Sequence, residues 1–153
     1  MQLFNQLLTI KAQATNDNFS FNDVLGKNLV LYFYPKDNTA GCTKQAQDFA
    51  QMYSQFLVAN TEVIGVSRDS LKSHHNFKTK LNLPFELISD GDETLCQLFN
   101  VIKLKKMYGR EYLGIERSTF VFDVNGNLVK EWRIVAIKNH VAEVLSLVTT
   151  LSK

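Results

Sequence analysis

Cys42 is one of two cysteines in the 153-residue chain, and it stands where a strand-like run gives way to a helical one. Upstream lies KNLVLYFY, residues 27–34, and then the turn-like stretch from Pro35 to Gly41. Downstream, Ala46, Phe49, Ala50, Tyr53, Phe56 and Leu57 recur at helical spacing. Extending that stripe back one turn puts Cys42 on the inward face of the helix and in its first turn. Backbone N–H groups there lack intrahelical partners, and their partial positive charge favours a thiolate over a thiol. Gly41 permits a close backbone approach or an unusual dihedral just before the sulfur. Thr39 is placed to cap the helix, or to offer its hydroxyl to something bound beside the thiol. The chemistry on offer is nucleophilic attack by sulfur. The plainer alternative is a buried structural cysteine near a capped helix.

The surrounding elements must hold that sulfur in place. Residues 27–34 contain the unbroken apolar run LVLYFY, as in a strand covered on both faces, and Pro35 ends it because proline cannot donate to a ladder. TEVIGVS, residues 61–67, reads as a second such strand. Residues 70–81 read as a helix with Leu71, Phe77 and Leu81 inward, 84–88 as a short strand, and 92–101 as a short helix with Asp at its start. Residues 103–117 show no clear period and read as a loop. STFVFDV and NLVKEWRIV flank Asn125-Gly126, a strong hairpin signal. A last helix over 139–151 carries the stripe Val141, Val144, Leu145, Val148 and Leu151. The order is β, α, β, α, β, α, loop, β-hairpin, α. Early alternation implies parallel strands with crossover helices, and the closing hairpin adds an antiparallel pair. The fold class expected is α/β, a thioredoxin-like mixed central sheet flanked by helices, in one domain over residues 1–153.

Composition narrows the setting. The chain is 45% hydrophobic with a net charge of +2, too small to argue for nucleic acid or a charged membrane surface. No apolar run approaches a membrane span, and the N-terminal stretch MQLFNQLLTIKAQATND has a short apolar patch but no basic leader. Two cysteines form no disulfide framework and suit a reducing compartment, so a cytoplasmic protein is expected.

The motif Pro35-x-x-x-Thr39-x-x-Cys42, within FYPKDNTAGCT, resembles that of the peroxiredoxins, and most closely their bacterioferritin comigratory protein (Q-type) group. The stretches IGVSRDSLKSHHNF at 64–77, LISDGDETLCQLFNVIK at 87–103 and MYGREYLGIERSTFVFD at 107–123 resemble the same group, over about residues 17–150. The resemblance implies a thioredoxin-like fold and reduction of hydrogen peroxide or organic hydroperoxides by thiol chemistry. It makes Cys42 the peroxidatic cysteine and gives Thr39 hydrogen bonds to the peroxide and the sulfur. Pro35 would shield the pocket from water, and Arg117, in GIERSTF, would face the thiolate. Such residue types suit the reaction. A thiolate displaces one peroxide oxygen, negative charge spreads over both oxygens, and fixed N–H donors with an Arg stabilise that charge. The product is a sulfenic acid. Neither a metal nor an organic cofactor is required. Taken by itself, Arg117 reads as a solvated residue at a strand edge.

The sulfenic acid must be recycled by another thiol. Many members of the group place it five residues on, where this chain has Gln47, or in the following helix, where HHNFKTK has none. Cys96, in ETLCQLF, reads as a small buried hydrophobe. The alternative makes it the resolving residue after a local rearrangement that brings the two Cα atoms within roughly 7 Å. A one-cysteine mechanism is preferred, with an external thiol such as glutathione or a thioredoxin-like protein as partner. The resemblance also leans towards a monomer.

Other features carry less. His74 and His75 are adjacent and point apart on a helix, and His140 is distant, so no metal-ligand spacing emerges. The basic run KLKKMYGR, 103–110, reads as a solvated loop rather than a nucleic-acid contact. Trp132 reads as core or pocket wall. A redox-responsive binding protein of the same fold is the second functional reading. Retention of Thr39 and Arg117 favours the enzyme, because signalling needs a reactive thiol but no transition-state stabilisation.

Overall fold

Every residue of Asn28–Phe33 is buried, because the strand it forms is central in a sheet covered on both faces. The computed structural model describes residues 2–152. In chain order the elements are α1 (Gln2–Thr9), β1 (Gln13–Ala14), a 3-10 turn (Phe21–Val24), β2 (Asn28–Phe33) and α2 (Ala40–Val58). Then come β3 (Thr61–Ser67), α3 (Leu71–Leu81), β4 (Glu86–Ser89) and α4 (Thr94–Leu98). The chain closes with β5 (Ile102–Met107), β6 (Arg110–Ile115), β7 (Ser118–Phe122), β8 (Leu128–Arg133) and α5 (His140–Leu151).

The main sheet has the order β1-β4-β3-β2-β7-β8. β2, β3 and β4 run parallel, joined by the crossover helices α2 and α3. β7 and β8 add antiparallel strands on one side, and β1 adds one on the other.

Alternation along β2 divides the interior in two. Leu29, Leu31 and Phe33 enter a core shared with α1 and α4, which includes Phe4, Leu7, Leu95, Cys96 and Phe99. Val30, Tyr32 and Tyr34 enter the other, shared with α2, α3 and α5, which includes Cys42, Phe49, Phe56, Phe77, Val141 and Val144. The two cysteines therefore lie on opposite faces of the sheet.

Several expectations need correction. Residues 102–115 are a two-stranded hairpin, not a loop, with Leu104 opposite Leu113 and Met107 opposite Arg110. Its turn is Tyr108-Gly109, both at positive φ (53° and 75°), which matches strand twist as Asn-Gly does. The basic run 103–110 thus belongs mostly to a strand. The N-terminal apolar patch is α1, held by buried Phe4 and Leu7. The helix expected over 92–101 is the shorter α4. In α3 the buried positions are His74 and Phe77, with Leu71 and Leu81 only half-buried. The β7–β8 connection spans residues 123–127, since Phe122 pairs Leu128. Asp123 Oδ1 accepts from the backbone N–H groups of Asn125 and Asn127, both at 2.9 Å, and Gly126 supplies the positive φ. The expected turn is there, but longer than a two-residue hairpin.

Candidate active site

The site is assembled where β2 ends. Tyr34 N–H still donates to Val66 O at 3.0 Å, continuing the ladder one residue beyond β2. Pro35 then stops it and sits half-buried. The chain turns through Asn38 at φ 63° and enters α2 with Thr39 as N-cap residue. Cys42 lies in the first turn, 2% exposed, in the α2-side core. Its burial agrees with the stripe running 42, 46, 49 along the helix.

Thr39 does not cap with its side chain. Its Oγ1 donates instead to Lys36 O at 2.8 Å, tightening the turn from within. With its proton so used, the hydroxyl oxygen keeps lone pairs free to accept from a bound hydroperoxide.

Arg117 is not a solvated edge residue. It immediately precedes β7 and reaches across to α2. Nη2 lies 3.3 Å from Cys42 Sγ, and Nη1 donates to Gln45 Oε1 at 2.6 Å. The fork is thereby fixed by one acceptor while its other arm faces the sulfur. A positive charge at that distance stabilises negative charge on sulfur and on an oxygen bound to it. Gln45 is fully buried, and its Nε2 finds no partner among the described residues. Sequence reasoning missed Gln45. The signal was available, since position 45 is one turn after Cys42 on the same face.

Gly41 leaves room for this arrangement. A Cβ there would stand 3.0 Å from Ile137 Cδ1 and 3.3 Å from Arg117 Nη2. Beside it a groove lined by Ala40, Gly41, Ile137, Val141 and Ala142 separates the start of α2 from α5. Lys105 on β5 is held below its ordinary pKa by burial and by the Arg117 charge, while Cys42 works the other way.

Behind the loop, Asp37 accepts from Tyr34 OH at 2.7 Å and from Ser73 Oγ at 2.8 Å, and it pairs with His74 Nδ1 at 2.7 Å. Burial pushes the Asp37 carboxyl up, but the hydrogen bonds from His74 and Tyr34 and the His74 charge outweigh it and hold it below its ordinary value. His75, on the same helix, is exposed. Asp37, Asp69 and His74 bring one ligand-type atom each within 4.8 Å of one another. Each of those residues is already hydrogen-bonded within the protein.

Cys96 is far from this chemistry. It is fully buried on α4, and its N–H donates to Asp90 Oδ2 at 2.8 Å. Burial, and then Asp90, push its thiol well above the usual range. Trp132 is half-buried and packs edge-on against His140, with ring centroids 5.3 Å apart.

The profile of the AhpC/TSA family matches residues 5–131. The chain belongs to that family. Within it, the chain is a peroxiredoxin of the Bcp (Q-type) group. It is 49% identical over 137 residues to peroxiredoxin Bcp of Bacillus subtilis (strain 168), covering 90% of this chain and 87% of that one. It is 49% identical over 128 residues to the Bcp of Xanthomonas campestris pv. campestris, covering 84% and 80%. Among solved structures, Xanthomonas campestris peroxiredoxin Q superposes with a TM-score of 0.90 at 42% identity, over 97% of this chain and 95% of that one. A structure of the Xanthomonas bacterioferritin comigratory protein, from work on its alkyl peroxide reduction activity, gives 0.90 at 41% identity over 97% and 96%. The peroxiredoxin fold is thioredoxin-like, as the alternation of strands and helices implied. Among the described residues no helix is long and apolar enough to cross a membrane.

Proposed function

We propose that this peroxiredoxin reduces hydrogen peroxide and organic hydroperoxides through Cys42, acting as one domain and recycled by a thiol from outside the chain. The observation that carries the reading is the Arg117 guanidinium, 3.3 Å from Cys42 Sγ at the start of α2. The Cys42 thiolate attacks one oxygen of ROOH. The S–O bond forms, the O–O bond breaks, and RO⁻ leaves to take a proton as ROH. Sulfur is oxidised by two electrons to the sulfenic acid, and the peroxide is reduced by two. Arg117 and the free N–H groups of the first turn stabilise charge spreading over both oxygens. Thr39 accepts from the distal O–H and orients the peroxide, while Pro35 keeps water from the sulfur.

Recycling supports the one-cysteine reading. Cys96 lies across the sheet from Cys42, so joining them would require dismantling a core. Gln47, at the five-residue position, is exposed and bears no thiol. An external thiol R′SH attacks the sulfenic sulfur, releases water and leaves a mixed disulfide with Cys42. A second thiol then displaces Cys42 and leaves as the disulfide. Glutathione or a thioredoxin-like protein fits this role in a reducing compartment such as the cytoplasm, with the peroxiredoxin as a monomer.

The test is to treat reduced protein with one equivalent of hydrogen peroxide, with and without a dimedone-type trap, followed by peptide mapping. The trap on Cys42 with Cys96 still a free thiol is expected. A Cys42–Cys96 linked peptide would overturn the one-cysteine cycle. Peroxide consumption no faster than by a free thiol would overturn the peroxidase itself.

A further inference from the structure

The loop that delivers Cys42 is anchored from behind by a buried pair that the chemistry above does not use. Asp37 is 4% exposed and His74 is 0% exposed. His74 Nε2 lies 2.9 Å from the Ile88 carbonyl on β4. A carbonyl only accepts, so Nε2 carries a proton. His74 Nδ1 lies 2.7 Å from Asp37 Oδ2, and a second proton must stand between them, because two bare lone pairs would otherwise meet. The pair therefore holds one proton more than a neutral imidazole beside an ionised carboxylate.

The groups around it come from every neighbouring element. Tyr34 OH, at the end of β2, donates to Asp37 at 2.7 Å and stands 3.4 Å from His74 Nδ1. Ser73 on α3 donates to Asp37 at 2.8 Å. Asp37 N–H donates to Asp69 Oδ2 at 2.7 Å, and Ser67 Oγ donates to the same oxygen at 3.0 Å. Asp37 is thus held by side chain and backbone together, midway between Pro35 and Thr39.

We propose that Asp37 and His74 are positioning residues for the reaction of Cys42. Their pair clamps the Pro35–Thr39 loop to α3 in the geometry that meets peroxide, and its release lets an external thiol reach the oxidised sulfur. The inference rests on the peroxidase reading with an external reductant. Its logic is one of access. Cys42 is 2% exposed, which bars a bulky thiol reductant from the sulfur while the first turn of α2 stays folded. Oxidation needs Thr39, Cys42 and Arg117 together. Reduction needs the first turn of α2 to move out. The two half-reactions pull one short loop in opposite directions, and the clamp sets the balance between them.

The experiment measures the two half-reactions separately. Oxidation is followed in a single turnover with hydrogen peroxide. Reduction of freshly formed sulfenate is followed with dithiothreitol. His74→Asn removes the ion pair. Asp37→Asn keeps the shape and offers an N–H to a His74 protonated on Nε2 alone, so packing survives and the shared proton goes. In both variants we expect oxidation to slow and reduction to quicken by about threefold each, as for a shift of one decade in the closed–open balance. General loss of structure would expose Cys42 and move the rates the same way, so urea melts must first show each variant folded under the assay conditions. Any result in which the two rates do not move in opposite directions overturns the proposal, and Asp37→Asn decides it should His74→Asn not fold. A wild-type protein that fails to consume peroxide would instead overturn the peroxidase reading, before any variant is compared.

Discussion

Arg117 and Cys42 are 75 residues apart in sequence, yet Nη2 of one lies 3.3 Å from Sγ of the other. The contact joins the residue just before β7 to the first turn of a helix. It depends on a third residue, since Gln45 holds the other arm of the guanidinium at 2.6 Å. A lysine in place of Arg117 has a single cationic nitrogen and cannot serve both partners in this geometry. Arg117→Lys is expected to slow Cys42 oxidation by roughly 100-fold, in line with loss of a fixed donor to developing negative charge. Stopped-flow oxidation by hydrogen peroxide measures this. A rate within twofold of the wild type would remove Arg117 from the mechanism.

Gly41→Ala tests the same alignment from the other side. Its Cβ would crowd Arg117 Nη2 at 3.3 Å and Ile137 Cδ1 at 3.0 Å. Oxidation is expected to slow by about 10-fold as the guanidinium shifts. Helix stability should hold or rise slightly, because alanine is the better helix former. Trimming Ile137 to Val in the same protein should restore part of the rate, read in the same stopped-flow assay.

Cys96→Ala should leave turnover with an external thiol unchanged and cost about 1 kcal/mol of stability for the lost sulfur contacts. Urea melts give the second quantity, and steady-state peroxide consumption gives the first. A turnover loss above about tenfold, ~1.4 kcal/mol of barrier, would return Cys96 to the cycle.

His140 makes stability pH-dependent. Burial pushes its pKa down to about 4, with Arg117 adding to the effect and Glu143 opposing it. Its ordinary value is 6.5. The unfolded chain therefore takes up the proton first as pH falls. Stability contributed by the neutral ring is complete above about pH 6.5 and is lost progressively towards about pH 4. The loss should amount to a few kcal/mol at most. Chemical denaturation at pH 7.5, 6 and 5 is the check, and His140→Gln should flatten the slope. Asp37 contributes in a different window. Its depressed pKa favours the folded state above the ordinary carboxylate value, and that share disappears only in stronger acid.

The central strands were legible because burial on both faces writes itself as uninterrupted apolar residues. TEVIGVS is β3 at its stated bounds. The hairpin at 102–115 was not legible, because it stands off the sheet. Leu104 and Leu113 face each other yet remain 62% and 61% exposed, with lysines between, so no alternation marks a buried face. Its turn, Tyr108-Gly109, lacks the Asn or Asp that flags such turns. In the site, Cys42, Thr39 and Pro35 were found together because they are close in sequence. Arg117 came through the resemblance alone, since nothing local distinguishes it from a surface arginine. His74 was out of reach. Its burial depends on Asp37, 37 residues earlier, and on a carbonyl of β4. Neither leaves a trace in the residues beside it.

The sheet that separates the two cysteines also governs what happens as peroxide rises. Under a one-cysteine cycle, no thiol within the chain intercepts the sulfenic acid at a fixed rate. Its lifetime is set by the concentration of external thiol, while the rate of its further oxidation is set by the concentration of peroxide. The fraction of molecules driven irreversibly to the sulfinic acid therefore tracks the ratio of the two concentrations. Under that cycle, the six-stranded sheet between Cys42 and Cys96 would make the population of this protein a cumulative record of how often oxidant has outrun reductant.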